Sequence, residues 1–166
     1  MDIQSALLYL TALLVILLAW YCSTESEMAP GETKMRAVVR QGADMIFKDN
    51  YATPAFGERE VLIRVQAGAI NPVDYKLRWP IVGPVVGNDF AGIIEQVGSK
   101  VGNFEVGDEV YGTTGKGSLA EMTVAKQETI AKKPTSLSFV ESAAMPVAYL
   151  TSLQGIRHDN NITNYQ

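Results

Sequence analysis

The chain has 166 residues, enough for one ordinary domain with a short extension but not for two full ones. With 47% apolar residues, 19% charged residues and a single cysteine, Cys22, it is neither a disordered chain nor a disulfide-stapled one. The net charge of -4 is uneven: all 14 Lys and Arg fall at or after Lys34, four of the 18 acids (Asp2, Glu25, Glu27, Glu32) precede it, and the body is neutral at 14 against 14. A neutral body lacks the basic footprint of a nucleic-acid binder, so no nucleic-acid partner is expected.

From Ala6 to Cys22 the run ALLYLTALLVILLAWYC has Thr11 as its one polar residue; as a helix it is about 25 Å long, or about 30 Å from Ile3, just enough to cross a bilayer. Residues 1–22 are therefore expected to be a single transmembrane or signal-anchor helix. A cleaved signal that leads to the secretory pathway or an organelle is the alternative, but Asp2 and the bulky Trp20 and Tyr21 are poor substitutes for a basic n-region and a small-residue cleavage site. Lys34, Arg36 and Arg40 follow the run and no basic residue precedes it, which puts the body on the cytosolic side of a membrane. Residues 23–34, with Pro30 and Gly31, read as a linker.

The body, 35–145, has a period of two, with turn residues at short intervals, which predicts a mainly β sandwich or barrel. Strands are expected at Met35 to Gln41, along EVLIRVQAGAI with Val61, Ile63, Val65 and Ala67 on one face, at Phe90 to Val97, at Glu109 to Gly112, along SLAEMTVAK with Ala120, Met122 and Val124 opposite Glu121 and Thr123, and at Thr129 to Lys133. Ser138 followed by Glu141 fits a capping box, so a short helix starts there. Pro146 can serve as the first residue of a second helix over 146–156. The tail 157–166, RHDNNITNYQ, is polar and aperiodic.

After Cys22 the chain has no cysteine, and its one histidine is His158, in the polar tail. A zinc centre with its usual three protein ligands cannot be built from that inventory, nor can a Ser-His-Asp or Cys-His nucleophile system, so no metal site is expected. Gly115 to Ala120, GKGSLA, matches G-x-G-x-x-A, but the dinucleotide fingerprint needs a helix after its glycine turn. Here a strand pattern follows, and a glycine hairpin turn is expected instead.

KMRAVVRQG, EVLIRVQAGAINPVDYKLR, GNDFAGIIEQVGSKVGNFEVGDEVYG, GSLAEMTVAKQETIAKKP and SFVESAAMPVAYLTSLQGI resemble, in order and spacing, the amino-terminal half of medium-chain dehydrogenase/reductases. The likeness is strongest to the zinc-independent quinone oxidoreductase and enone reductase branch. Where zinc-dependent relatives carry a glycine-histidine-glutamate block and an earlier cysteine that help to hold the metal, the corresponding positions here are Asn88, after Gly87, and the Asn71 region. The resemblance implies a GroES-like β-barrel, NADPH as cofactor, and hydride transfer to a small-molecule quinone or enone. It further implies that Asn71 of NPVD and Thr151 of PVAYLT face the cofactor, while Tyr75 or Lys76 supplies a proton or hydrogen bond to the reduced substrate. From the residues alone, Asn71 before Pro72 is equally a turn former, Asp74 a helix cap, Tyr75 a packed aromatic, and Lys76 a solvated charge.

The likeness stops at Gly155 or Ile156, before the strand and glycine-rich turn of a Rossmann domain. The expectation is a truncated enzyme that is inactive alone, with that domain absent. The alternative is a non-catalytic, membrane-tethered β-barrel that binds or regulates a partner protein.

Overall fold

The computed structural model describes residues 33–76 and 83–160. The apolar run of residues 1–22, linker residues 23–32, tail residues 161–166 and the side chain of His158 lie outside the description. Among the described residues, no helix is long and apolar enough to cross a membrane.

Strands β1 (Lys34–Gln41) and β2 (Asp44–Ala52) form a two-stranded antiparallel sheet. Strands β3 (Glu60–Ala69), β4 (Asp89–Val97), β5 (Glu109–Thr113), β6 (Met122–Lys126) and β7 (Ile130–Lys132) form a second, in the order β6-β3-β4-β5-β7 with every pair antiparallel. Isolated bridges Ala37↔Ala120 and Val39↔Val85 connect β1 to the segments that lead into β6 and β4 of the second sheet.

The architecture is mainly β, as the periodicity implies, but the expected closed barrel is not formed. Its two sheets are open. The larger sheet coils so strongly that the 3-10 turn Gln127–Thr129 suffices to carry the chain from one edge strand, β6, to the other, β7. No ladder joins those edges. The Thr129 hydroxyl lies within hydrogen-bonding distance of the carbonyls of Lys126 and Thr113 at the gap, 3.0 and 2.9 Å away.

Alternation is also less clean than expected. Bulges between Leu62 and Ile63 and between Val65 and Ala67 shift the register of β3, so Val61, Leu62 and Ile63 are all buried. In β6, Thr123 is as buried as Val124, because both faces of that strand are covered. One core cluster is built on Val61, Ile63, Phe90, Ile94 and Val110, and a second on Met35, Ala37, Val39 and Val85. Each fully buried aliphatic or aromatic side chain among them contributes about 1.5–3 kcal/mol to folding.

Among the described residues helices are few: α1 (Pro72–Lys76), α2 (Phe139–Ala143) and α3 (Pro146–Asn160). Ser138 and Glu141 form the expected capping box, with the Glu141 N–H donating to Ser138 Oγ at 3.2 Å and the Ser138 N–H to Glu141 Oε2 at 2.8 Å. Pro146 opens α3, where its missing N–H costs nothing. The helix continues past Ile156 to Asn160, beyond the expected boundary, because Arg157 to Asn160 includes neither glycine nor proline to stop it.

The GKGSLA segment binds no helix to its glycine turn. Gly117 has φ +95°, and the chain proceeds through the Ala120 bridge into β6. It is a turn, but not the expected hairpin, since β5 and β6 are not neighbours in the sheet.

Candidate functional site

The NPVD segment lies where β3 ends. Pro72 presets φ for a helical start, and the Asp74 carboxylate reaches back to accept the backbone N–H of Asn71 at 2.7 Å, while the Asp74 N–H donates to Asn71 O at 2.9 Å. Asp74 is thus the cap of a single helical turn, and it is buried, with 3% of its surface exposed. Its capping leaves the Asn71 side chain for another partner.

That partner is Asp89, the first residue of β4. Asn71 Nδ2 donates to Asp89 Oδ2 at 3.0 Å, and the backbone N–H of Val147 donates to the same oxygen, also at 3.0 Å. Val147 stands directly after Pro146, so its N–H is the first one that the N-terminus of α3 can offer, and a carboxylate is favoured there. Asp89 is 0% exposed and its Oδ1 has no partner among the described residues. Burial raises the Asp89 pKa above its ordinary value; the bonds from Asn71 and Val147 oppose that rise, and the charge of Asp74 adds to it.

Thr151 follows Val147 by one helical turn and shares its face of α3. It is exposed. Asp89 therefore fastens the Asn71 turn to the helix that carries Thr151. Tyr75, 57% exposed, and Lys76, also exposed, stand at the end of α1. No described hydrogen bond fixes either side chain, so neither is held against Asn71.

Two grooves lie elsewhere. One, about 490 Å³, is lined by Tyr111, Thr113, Ile130, Pro146, Tyr149 and Leu150, and the other, about 390 Å³, by Val38, Phe47, Val65, Ala67 and Leu119 with the Arg36–Glu121 pair. Neither is lined by Asn71, Tyr75 or Lys76. The apolar side chains of α3 are open, with Tyr149 57%, Leu150 48% and Ile156 40% exposed.

Asp89 is the functional candidate that residue-by-residue reading passes over. An acid placed directly before the apolar run FAGII was the available signal: with strand period two, such a residue either faces solvent or is buried with partners.

Comparison with known proteins adds four findings. Residues 57–135 match the family model of the alcohol dehydrogenase GroES-like domain. The chain is 37% identical over 145 residues to a 2-methylene-furan-3-one reductase of Solanum lycopersicum, covering 76% of this chain and 37% of that protein. It is 35% identical over 132 residues to a chloroplastic NADPH-dependent alkenal/one oxidoreductase of Arabidopsis thaliana, covering 69% and 34%. Among solved structures, the quinone oxidoreductase of Coxiella burnetii superposes with a TM-score of 0.63 at 29% identity, over 75% of this chain and 44% of that one. The chain thus spans less than half the length of these relatives.

Proposed function

The chain belongs to the medium-chain dehydrogenase/reductase superfamily, in its quinone oxidoreductase branch, and on that footing we propose that its described domain forms the substrate-side wall of an NAD(P)H-dependent, zinc-independent reductase of quinones or enones. The observation that carries this reading is the Asn71–Asp89–Val147 linkage. It holds a half-buried amide in a defined position beside the start of the helix that bears Thr151, and an amide and a hydroxyl suit the polar groups of a nicotinamide nucleotide. A bound nucleotide would supply the hydride; the chain's own residues would orient it and the acceptor and exclude water.

The zinc-independent part rests on donor chemistry. Positions 71 and 88 carry amides, which are poor ligands for zinc beside thiolate or imidazole. Tyr75 and Lys76 are the proposed proton or hydrogen-bond donors to the reduced substrate, and their exposure on α1 leaves them accessible to an acceptor molecule. A Rossmann-type nucleotide grip needs a parallel strand–turn–helix unit, and the described strands pair only antiparallel. The described residues by themselves are therefore proposed to bind NADPH weakly and not to turn it over. The apolar run of residues 6–22 supports a membrane-tethered form with its body in the cytosol, and resistance of the full chain to alkaline extraction from membranes would test that tether.

The central reading is tested by titrating NADPH into the isotope-labelled 166-residue chain and following its amide spectrum. Saturable shifts at Asn71 and Thr151, with a Kd on the order of 1 mM, are expected. Shifts that avoid both residues up to saturation would reject the cofactor assignment.

A further inference from the structure

The two bonds at Asp89 Oδ2 fix which end of the Asn71 amide is free. A backbone N–H can only donate, so the Val147 contact at 3.0 Å marks Oδ2 as an accepting oxygen. Any proton that Asp89 holds then belongs on Oδ1, the oxygen without a partner among the described residues. Asn71, 3.0 Å from Oδ2, must meet that oxygen with its NH2 group, and its carbonyl Oδ1 is turned away. The flipped amide would need a hydroxyl at Oδ2. That would give the Val147 N–H to the weaker acceptor of the acid and strand the stronger one in the interior.

The backbone of Asn71 is held independently by the Asp74 carboxylate, so the side chain has little freedom left. We propose that Asp89 is a positioning residue that locks the Asn71 amide with its carbonyl outward, so that the ligand group recognised there is a hydrogen-bond donor. The carboxamide NH2 or a ribose hydroxyl of a nicotinamide nucleotide meets that requirement; the carbonyl of a quinone or enone does not. The ligand half of this inference rests on the cofactor-facing reading of Asn71, and the positioning half does not.

The side-chain amide resonance of Asn71 in the labelled 166-residue chain, identified by its loss in Asn71→Ser, reads the lock directly. Without ligand, solvent exchange of that amide is expected to be slowed about tenfold or more relative to an exposed asparagine. Asp89→Asn keeps an accepting oxygen for both donors and should retain the protection, whereas Asp89→Ala should lose it, and NADPH affinity at Asn71 should fall about tenfold in Asp89→Ala and return in Asp89→Asn. Rapid exchange in the unsubstituted chain overturns the positioning role even if Asp89→Ala fails to fold, and so does protection that survives in a folded Asp89→Ala. A locked amide that saturating NADPH leaves unperturbed overturns the ligand assignment instead.

Discussion

The backbone N–H of Val147 donates to the Asp89 carboxylate across 58 residues of sequence, and this bond seats the first turn of α3 on the end of β4. The carboxylate is fully buried, and burial raises its pKa above the ordinary 3.8. In the unfolded chain the same group titrates near its ordinary value, so between that value and the raised one the folded state binds more protons. Stability contributed by Asp89 is therefore complete below about pH 3.8 and declines as pH rises through the folded-state pKa. Asp89→Asn, which mimics the protonated acid and cannot ionise, should remove this decline. Urea-unfolding midpoints between about pH 4 and 8 are expected to fall less for the Asn variant than for the unsubstituted chain. Asp89→Ala strands two N–H donors and should cost about 1–3 kcal/mol near pH 4, and less as pH rises.

Two glycines shape the two segments, 83–88 and 114–121, that bond to β1 and to each other. Gly87 and Gly117 have φ of +90° and +95°, where a side chain is strained. A Cβ at Gly87 would collide with Ser118 Oγ, and one at Gly117 with Val85, including its carbonyl oxygen at 2.6 Å. Alanine at either position is expected to destabilise by about 2 kcal/mol or more, the sum of the left-handed penalty and the clash. Gly115, two residues from Gly117, has open space at its Cβ position, and Gly115→Ala should lie within about 0.5 kcal/mol of the unsubstituted chain. Thermal midpoints of the three variants give the comparison. Equal effects at 115 and 117 would contradict this account of the turn.

The legible features are local ones. The capping box needs only Ser138 and Glu141, three positions apart, and strands β1, β4 and β5 reveal themselves through apolar residues in their own windows. β2 is not legible in the sequence, because Asp44, Lys48, Asp49 and Asn50 interrupt its alternation. It is an edge strand, paired on one side by β1, and an edge tolerates charge that a central strand excludes. Sheet closure is not legible for a related reason: whether β6 and β7 pair depends on the coil of the whole sheet, which no single window encodes. The linkage at Asp89 is hidden for the strongest version of that reason, since its donors, Asn71 and Val147, lie 18 and 58 residues away. Asp74, whose bonds span three residues, is legible as a helix-terminus residue, although it stands inside the turn 72–76 and accepts the N–H of Asn71 before it instead of capping the turn that follows.

The Ser138 cap carries a prediction of its own. Ser138→Ala removes the acceptor for the Glu141 N–H, a loss of about 1 kcal/mol in unfolding free energy. The backbone N–H and hydroxyl of Ser138 hold the Glu141 pKa below its ordinary 4.5. The folded state thus releases that proton more readily than the unfolded one, and the stabilisation is present above about pH 4.5 and disappears as pH falls through the lowered value. The Ser138→Ala penalty should accordingly shrink on acidification, the reverse of the trend set by Asp89. A penalty that is constant from neutral pH to below pH 4 would show that Glu141 is not part of the cap in solution.

Thr123 and Thr114 form a buried hydroxyl pair beneath the same glycine turn. Thr123, 0% exposed, lies 2.8 Å from Gly117 O and 3.2 Å from Thr114 Oγ1, and its single proton favours the shorter contact. Thr114 Oγ1 donates to Val124 O at 2.6 Å and accepts the Lys116 N–H at 3.0 Å. Thr123→Val keeps the shape but leaves the Gly117 carbonyl without its donor, for an expected loss of about 1–3 kcal/mol. Thr123→Ser keeps the hydroxyl and removes one methyl, which should cost about 1 kcal/mol. Because the two hydroxyls touch, Thr114→Val and Thr123→Val are expected to be non-additive by at least about 0.5 kcal/mol in a double-mutant cycle. Urea unfolding of the four species measures that coupling, and strict additivity would mean that the two threonines hold the turn independently.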